Sequence, residues 1–302
     1  MQKIIIDTDI GDDIDDAFAI ALALELEDVE VIGITTVFRN AKARAKQVVE
    51  LLKSVGKDNI EVCAGADNPL ISTPQNFKKE FYDDNGKYLP CQYDTSYETN
   101  RISDKNAIDF IIESANKYNG ELVLAPIGAL TNIALALRTD NDLCKKIKKI
   151  VLMGGYDSYA IPEWNIMCDS EAARIVFTSG VPIYTVGLDV TTKCALNSDL
   201  LDRISNKTDK RSKLIISWLN KWEDAFHFHK SVLHDPLAIA TLVSDCVTFE
   251  CKSMKVYLNG KLNGITKKVR YNSKDKSQSK IYVATKVDAA KFYRLFEEKL
   301  VN

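Results

Sequence analysis

Six aspartates lie close together near the start of the chain, in the stretch Asp7-Thr8-Asp9-Ile10-Gly11-Asp12-Asp13-Ile14-Asp15-Asp16. Like charges packed this closely repel one another unless a cation or solvent compensates them. Carboxylate oxygens are the ligands that calcium and magnesium prefer, and the stretch contains neither cysteine nor histidine. A water bound to such an ion beside a carboxylate is a nucleophile at neutral pH. The stretch therefore predicts a divalent-metal site and metal-assisted hydrolysis.

An ordinary helix-capping turn is the alternative interpretation of the same residues. Asp12 and Asp13 would then be solvated turn residues, and Asp15 or Asp16 would cap the helix that follows. This interpretation explains any one of the aspartates, but it gives no reason for so many of them in one turn.

The acidic stretch lies between a short apolar run and a segment rich in small apolar residues. These predict a buried strand before it and a helix over residues 17–24 after it. Strand-like and helix-like segments alternate along most of the remaining chain. The alternation predicts an α/β fold with a mostly parallel open sheet and helices on both faces. Ligands bind such sheets beyond the carboxyl ends of the strands, which is where the acidic stretch would lie.

The pattern also predicts where the other elements lie. Strands are expected at residues 29–37, 61–64, 121–125, 150–153 and 182–186, and again at 255–258, 265–271 and 280–284. Helices are expected at residues 40–55, 103–118 with Ser103 as the cap, 133–137, 169–178, 237–243 with Asp235 as the cap, and 288–300, and residues 197–229 are expected to be mainly helical. No linker or repeat interrupts the chain, so residues 1–302 are predicted to form a single domain.

Residues 67–100 differ in composition from the rest of the chain. They are rich in Pro, Asn, Asp, Gly and Tyr and are too long for an ordinary connection in a compact domain. Loops of this kind are often lids over a binding site, and a surface excursion is the alternative. The sequence therefore predicts a lid-like loop here.

The overall composition limits the kind of partner and the compartment. The formal charge of −2 and the pI near 6.0 leave no basic footprint for a nucleic acid or a membrane surface. The seven cysteines are scattered and form no C-x-x-C pair, which favours reduced thiols over disulfides or zinc. The chain also shows no secretory leader and no apolar run long enough for a membrane helix. We therefore predict a cytoplasmic protein with a small polar ligand.

Five polar residues farther along the chain are placed to join the acidic stretch: Asn40, Glu163, Asn165, His234 and Asp235. Each follows a predicted strand or opens a predicted helix, so all of them could meet at the carboxyl edge of one sheet. Taken singly, they are weak signals, because each is more often a helix cap, a loop residue or a structural histidine. Together they resemble a sugar site, in which carboxylates and amides hold hydroxyl groups.

Several short motifs occur in a fixed order along the chain: the opening DTDIGDDIDDA, Thr35-Thr36-Val37 with Asn40, Gly128-Ala129-Leu130-Thr131-Asn132, Met153-Gly154-Gly155, Glu163-Trp164-Asn165 and His234-Asp235-Pro236. Their order and spacing resemble those of the inosine-uridine type nucleoside hydrolases. The resemblance covers nearly the full chain, and the acidic signature together with His-Asp-Pro is highly specific. It implies a Rossmann-like nucleoside hydrolase fold and a calcium-dependent N-ribohydrolase of purine or pyrimidine salvage. Such an enzyme splits the N-glycosidic bond of a nucleoside into ribose and free base.

The resemblance also implies a role for each residue at the metal. Asp9 would be a calcium ligand and the general base on the water that the ion holds. Asp16, Asp235 and the backbone carbonyl of Ile127 would complete the calcium ligands. Attack by that water opposite the leaving base predicts inversion at the sugar carbon.

The remaining roles implied by the resemblance concern the nucleoside. Asp15, Asp235, Glu163, Asn165 and Asn40 would hold the ribose hydroxyls, and His234 would assist departure of the base. The base pocket would be formed by residues of the lid and of the segment 222–229: Phe81, Tyr82, Trp222 and His229. A helix face packed on the core is the alternative for Trp222 and His229. Homodimers or homotetramers are what the resemblance suggests.

This chain departs from the family pattern in two places. The commoner signature has Pro where Ile10 stands, and it is two residues shorter between its first pair of aspartates and its last aspartate. In the longer turn of this chain, Asp12 and Asp13 are expected to be plain turn residues. The segment after Gly155 lacks the Asn that the family often carries for the ribose 5′-hydroxyl. Asp157 or Tyr159 is the nearest polar substitute.

Two other functions remain open at this level. The apolar strand with Asp7-x-Asp9 is also similar to the nucleophile motif of haloacid-dehalogenase-like phosphatases, although these need a later acidic pair and give no role to His-Asp-Pro. A nucleoside-binding or ribosyl-compound-binding protein without turnover would use the same fold and the same polar residues.

Overall fold

One sheet runs through the part of the chain that the computed structural model describes, which is residues 1–71, 82–84, 86–97, 101–227, 231–258, 260–270, 272, 274 and 278–302. Its strands are β1 (Gln2–Thr8), β2 (Val29–Thr36), β3 (Glu61–Ala64), β4 (Leu122–Pro126), β5 (Ile147–Met153), β6 (Ile183–Val186), β7 (Val247–Val256), β8 (Thr266–Lys268) and β9 (Gln278–Val287). They lie in the order β3-β2-β1-β4-β5-β6-β9-β7-β8.

The strands β1 to β6 and β9 are parallel, whereas β7 pairs antiparallel with β9 and β8 with β7. The strand order reverses at β1, because β2 and β3 lie on one side of it and β4 to β6 on the other. Ligands of open α/β sheets bind at such a switch point, outside the carboxyl ends of the two central strands. The predicted α/β fold with a mostly parallel sheet is confirmed.

Helices connect the strands and cover both faces of the sheet. In the described residues they are α1 (Asp15–Glu25), α2 (Ala41–Ser54), α3 (Ala107–Tyr118), α4 (Thr131–Thr139), α5 (Leu143–Lys146), α6 (Trp164–Cys168), α7 (Ser170–Phe177), α8 (Leu188–Thr191), α9 (Ser198–Ser205), α10 (Lys210–Phe226), α11 (His234–Ala240) and α12 (Ala289–Leu300), with a 3-10 turn at Gly260–Leu262.

The apolar run of β1 explains how the acidic stretch is anchored. Ile4, Ile5 and Ile6 are wholly buried, and a continuous apolar run is typical of a parallel strand covered on both faces. Side chains alternate between the faces of a strand, so Ile4 and Ile6 join one core layer and Ile5 joins the other. On the first side α1 packs against α11 and α12, and residues 17–23 of α1 are all buried. The acidic turn is therefore held between two buried elements.

Some element boundaries differ from the predicted ones. The helix expected from Ser103 begins at Ala107, because Asn106 caps it and the Ser103 hydroxyl donates to Glu61 at 2.8 Å instead. Asp235 is not a helix cap, since α11 begins at His234 and includes it in the first turn. The short helix α6 was not predicted, and β7 and β9 are longer than expected.

Of the other predictions about the whole chain, the structure tests only some. The single domain and the lid function of residues 67–100 stay predictions, and residues 72–81, 85 and 98–100 of that loop lie outside the described residues. All seven cysteines are free thiols. Among the described residues, no helix is both long and apolar enough to cross a membrane.

Candidate active site

Three buried carboxylates lie together at the switch point of the sheet. Asp15 and Asp16 open α1, and Asp235 lies in the first turn of α11, which packs against α1. Each of the three offers a carboxylate oxygen that lies within 4.8 Å of the other two. The backbone N–H of Asp235 donates to Asp15 at 3.2 Å, and the Thr8 hydroxyl donates to Asp16. The sequence neighbours Asp15 and Asp16 thus meet a residue 219 positions farther on only through helix packing.

The electrostatics of this cluster fit a cation. Burial raises the pKa of Asp15, Asp16 and Asp235 well above the usual range, and repulsion from neighbouring carboxylates raises it further. Ionised carboxylates are unfavourable in such an environment unless a positive charge compensates them. The donor set consists of hard oxygen atoms, which suits a divalent ion such as calcium or magnesium. The alternative in which Asp15 or Asp16 caps α1 is wrong, because α1 has no side-chain cap and Ile14 lies at that position.

Asp9 lies beside the cluster, just beyond the end of β1. Burial raises the pKa of Asp9 to about 7, and the charge of the nearby Arg44 guanidinium opposes the rise. Gly128 follows β4 so closely that a Cβ atom there would come 2.6 Å from Asp9 Oδ1. Only glycine fits, since this approach lets the ends of β1 and β4 meet. Ile127, the residue before it, lines the same cavity as Asp9.

The cavity above these residues has a volume of about 420 Å³, and its lining combines two chemical kinds of side chain. Its lining consists of Asp9, Asp12, Asp13, Asp15, Asp16, Ile127, Met153, Glu163, Trp164, Asn165, Leu188, Trp222, Phe226, His234 and Asp235. Carboxylates and the Asn165 amide are its polar members, and Trp164, Trp222 and Phe226 contribute aromatic rings. Such a cavity can hold a ligand that joins a polar hydroxylated part to a flat ring.

Glu163 and Asn165 reach the cavity from α6. Glu163 caps this helix, and its carboxylate accepts hydrogen bonds from the backbone N–H groups of Gly155, Asn165 and Ile166 at 3.0, 3.0 and 3.1 Å. The Asn165 amide donates to the carbonyl of Ile127 at 2.9 Å. That bond connects α6 to the end of β4. The two predicted sugar contacts are thus held in place by hydrogen bonds to backbone groups.

A hydrogen bond to one ring nitrogen holds the side chain of His234 in place. Its Nδ1 lies 2.7 Å from the hydroxyl of Thr191, a buried residue at the end of α8. Burial lowers the pKa of His234 to about 4, so the ring is neutral at neutral pH. A neutral imidazole in this place can offer one hydrogen bond to a ligand from its other nitrogen.

Other predicted contact residues are placed differently. Asn40 caps α2 by accepting from Ala43, and its amide donates to the carbonyl of Tyr88 at 2.6 Å, so both of its polar atoms are engaged outside the cavity lining. Tyr82 is 54% exposed and packs edge-on against Tyr88. Trp222 lines the cavity, whereas Phe81 and His229 lie outside the described residues.

The two candidates for the ribose 5′-hydroxyl do not line the cavity. Asp157 forms an ion pair with Lys252 at 2.9 Å and accepts from the backbone of Lys268 at 2.8 Å. Tyr159 is 59% exposed and packs on Tyr156. Both side chains therefore make contacts outside the cavity, which argues against either of them as a substitute for the Asn that binds the ribose 5′-hydroxyl in the family.

The expectation that Asp12 is a solvated turn residue is wrong. Its carboxylate forms an ion pair with the wholly buried Arg44 at 2.8 Å and accepts a hydrogen bond from the hydroxyl of Tyr88. Arg44 and Tyr88 were not predicted to take part in the site. An arginine on the predicted inner face of α2, next to an acidic turn, was the available signal.

Comparisons with known proteins agree with this fold and identify a family. The family described as inosine-uridine preferring nucleoside hydrolase matches residues 4–294. Uridine nucleosidase 1 from Arabidopsis thaliana is 33% identical over 86% of this chain and 79% of its own. The inosine-uridine preferring nucleoside hydrolase from Crithidia fasciculata is 28% identical over 99% of this chain and 97% of its own. A solved structure, the purine-preferring ribonucleoside hydrolase from Gardnerella vaginalis, superposes with a TM-score of 0.81 at 31% identity, covering 99% of this chain and 98% of that one.

The α/β fold of this chain is thus shared with enzymes that act on N-glycosyl bonds. The chain belongs to the inosine-uridine preferring nucleoside hydrolase family. The names of its relatives differ in the base that they mention, since uridine, inosine and purines all occur among them.

Proposed function

We propose that this protein hydrolyses the N-glycosidic bond of a ribonucleoside, with calcium as its metal, and releases ribose and a free nucleobase. The observation that carries the proposal is the buried cluster of Asp15, Asp16 and Asp235 beside Asp9, in a cavity that is also lined by aromatic side chains. A nucleoside likewise combines a hydroxylated sugar with a flat ring. The proposed partner is therefore a small molecule.

The metal would be held by Asp9, Asp16, Asp235 and the carbonyl of Ile127, and Asp15 lies near enough to the cluster to share in binding it. A hard divalent ion in this place supplies a water of lowered pKa as the nucleophile. Asp9 lines the cavity and has a buried carboxylate, so it is placed to accept a proton from the attacking water.

The sugar and the leaving base would be handled by separate groups. Asp15, Asp235, Glu163 and Asn165 line the cavity, where they can bind hydroxyl groups, and Asn40 remains a candidate outside the lining. Positive charge develops on the ribose as the bond breaks, and nearby carboxylates stabilise it. Water attacking from the carboxylate side while the base leaves from the other side gives inversion.

His234 would assist the base in leaving. The ring lines the cavity, and the Thr191 hydroxyl at 2.7 Å fixes its orientation. The ring is neutral, so its contribution would be a hydrogen bond to the departing base. Trp222, Phe226 and Trp164 offer the apolar surface for that base.

A ribose-release assay tests the proposal. The protein is incubated with inosine, uridine, adenosine or cytidine in the presence of calcium, and free reducing sugar is measured. We expect release from at least one nucleoside, and a loss of at least about a hundredfold in kcat for Asp9→Asn. Asp142→Asn is the matched control, because Asp142 is a surface residue whose side chain is 64% exposed.

The same assay separates the proposal from its alternatives. Tight nucleoside binding without ribose release would establish a binding protein and overturn the hydrolase. Replacing calcium with magnesium or manganese after chelation tests which ion is used, and full activity in the chelated protein would contradict a metal requirement. A phosphatase is not favoured, because Asp7 is wholly buried and its carboxylate accepts from Thr35 at 2.6 Å and Asn132 at 2.8 Å instead of lining the cavity.

A further inference from the structure

Arg44 is a wholly buried cation. Each of its three guanidinium nitrogens donates at least one hydrogen bond. Nη1 donates to the carbonyl of Asp9 and, at 2.9 Å, to that of Ile10. Nη2 donates to the Asp12 carboxylate at 2.8 Å, and Nε donates to the carbonyl of Phe38 at 2.8 Å. One side chain of α2 thus binds the acidic turn at three successive acceptors near the proposed general base.

Tyr88 completes this arrangement from the loop of residues 67–100. Its hydroxyl donates to the second carboxylate oxygen of Asp12, so Asp12 is held between Arg44 and Tyr88. We call Asp12, Arg44 and Tyr88 the turn clamp. The chain just after Tyr88 adds further bonds, since Gln92 donates its backbone N–H to Gly11 at 3.0 Å and its side-chain amide to the carbonyl of Asp13 at 2.7 Å.

The turn has little freedom to take another shape while these contacts exist. Gly11 has a φ of +120°, and a Cβ atom there would come 2.2 Å from Gln47 Oε1 and 2.5 Å from Pro90 Cβ. The turn between β2 and α2 is also strained, because Phe38 and Arg39 have φ values of 75° and 62°. Arg44 binds the carbonyl of Phe38, so it joins the strained turn to the acidic one.

Residues 9–14 have neither helix nor strand structure to define their backbone. Catalytic side chains need to be held to within a fraction of an ångström, and this requires fixed supporting contacts. Only arginine offers five donors in a planar fork, so lysine keeps the charge but cannot make all of these bonds. The lengthened acidic turn therefore depends on contacts from α2 and from the loop.

We propose that Arg44 is a positioning residue, which acts with Asp12 and Tyr88 to fix the acidic turn so that Asp9, Asp15 and Asp16 are presented to the cavity in one arrangement. Asp12 serves the clamp and is not a metal ligand or a substrate contact. The inference rests on the proposed function, because it assigns the support of the same site.

The test compares Arg44→Lys, Asp12→Asn and Tyr88→Phe with the wild type. Tyr93→Phe is the matched control, since the Tyr93 hydroxyl lies in the same loop and accepts from Lys46 at 2.9 Å, away from the acidic turn. For each protein kcat and KM are measured with the best nucleoside, calcium affinity by calorimetry, and folding by near-ultraviolet circular dichroism. We expect Arg44→Lys and Asp12→Asn to lower kcat at least about tenfold with little change in KM, and to weaken calcium binding. Tyr88→Phe should show a smaller loss and Tyr93→Phe none.

A purely structural role gives a different result. Folded variants with a lowered Tm but with the kcat and calcium affinity of the wild type would overturn the proposal. If Arg44→Lys does not fold, the two other variants decide. The double variant Asp12→Asn/Tyr88→Phe should lose no more kcat than Asp12→Asn alone, because both residues act through one clamp. Additive losses would mean that Asp12 contacts substrate or metal directly and would overturn its assigned role.

Failure of the proposed function is recognisable separately. If the wild type releases no ribose from any nucleoside, calcium affinity remains as the readout. A fall in affinity in Tyr88→Phe and Asp12→Asn, but not in Tyr93→Phe, would still support the clamp, whereas equal affinities in all four proteins would overturn it.

Discussion

The aspartates of the acidic stretch differ in their partners and in their availability to a ligand. Asp7 is wholly buried, which raises its pKa to about 7 although the hydrogen bonds from Thr35 and Asn132 oppose the rise. Its carboxylate accepts these two bonds and does not line the cavity, so it is not available to a ligand. Asp12 is paired with a buried guanidinium. Asp16 belongs to the cluster in which like charges are packed together. The partners, and not the residue type, determine which of these carboxylates can bind a metal or accept a proton.

At the residue scale we predict a specific effect of the hydroxyl behind His234. Thr191→Val removes the group that lies 2.7 Å from Nδ1 and keeps the shape of the side chain. We expect kcat to fall about tenfold for nucleosides, while His234→Ala should cause a loss of about a hundredfold or more. Both losses should be much smaller for a nitrophenyl riboside, because its leaving group needs no assistance.

Steady-state kinetics with both kinds of substrate check this prediction. Thr192→Val is the matched control, since Thr192 is exposed and its hydroxyl donates to Leu188 at 2.8 Å. Equal losses on nucleosides and on the nitrophenyl riboside would show that His234 does not act on the leaving base.

Short helices at the carboxyl ends of the strands carry much of the site. Glu163 caps α6 and also lines the cavity, so a single carboxylate both starts the helix and faces the ligand. Asp169 performs the same capping role for α7, where it accepts from Ala172 at 3.0 Å and from the hydroxyl of Thr131 at 2.7 Å. It is buried but does not line the cavity. A comparison of variants at Glu163 and Asp169 therefore separates the effect of losing a helix cap from the effect of losing a substrate contact.

At the element scale we predict that Glu163→Gln and Asp169→Asn both destabilise the fold by about 1–3 kcal/mol, because each leaves a buried backbone N–H group without a good acceptor. Only Glu163→Gln should also raise KM, by about tenfold for a lost contact of about 1.4 kcal/mol. Urea unfolding and initial-rate kinetics measure the two effects. An equal rise of KM in both variants would mean that Glu163 contributes only as a cap.

The cluster of buried carboxylates links metal binding to the stability of the whole molecule. An ion that binds the folded chain at a hundred times its Kd adds about 2.7 kcal/mol to the free energy of unfolding. For a chain of this size that corresponds to a rise in Tm of roughly 4 °C. Without the ion, the repulsion within the cluster is an unfavourable contribution to folding.

At the scale of the molecule we therefore predict a crossover in the Asp16→Asn variant. In a chelator its Tm should exceed that of the wild type, because one buried negative charge is gone and Thr8 can still donate to the remaining oxygen. In calcium the order should reverse, since the variant binds the ion weakly. Differential scanning calorimetry in both buffers measures this, with Asp142→Asn as the unchanged control. A wild type whose Tm is the same in calcium and in chelator would contradict the metal site.

The assembly of the molecule stays a prediction. A single domain over residues 1–302 predicts one cooperative unfolding transition, and the family resemblance suggests a homodimer or homotetramer. Calorimetry and light scattering on the purified protein test these two expectations.

The sequence by itself determined the fold class and the position of the site. The period of the apolar residues reports which faces are buried, so the strand before Asp7 and the buried helix after Asp16 could be predicted. Parallel strands share one carboxyl edge, and this was enough to bring His234-Asp235-Pro236 and Glu163-Trp164-Asn165 to the acidic stretch. The motifs and their order also indicated the family, which the comparisons confirm.

Only the tertiary structure decided the division of roles among neighbouring residues. The predicted cap of α3 was wrong by three positions, because Ser103 and Asn106 are both residue types that cap helices well. In the fold the Ser103 hydroxyl donates to the distant Glu61, and Asn106 caps the helix. The acidic turn is the stronger example, since Asp12 and Asp16 have the same side chain but different partners. Arg44 lies 32 positions from Asp12 and Tyr88 lies 76, and contacts over such separations depend on how α2 and the loop pack. Local sequence records propensity and periodicity, whereas the charge partner of a buried carboxylate is a property of the folded chain.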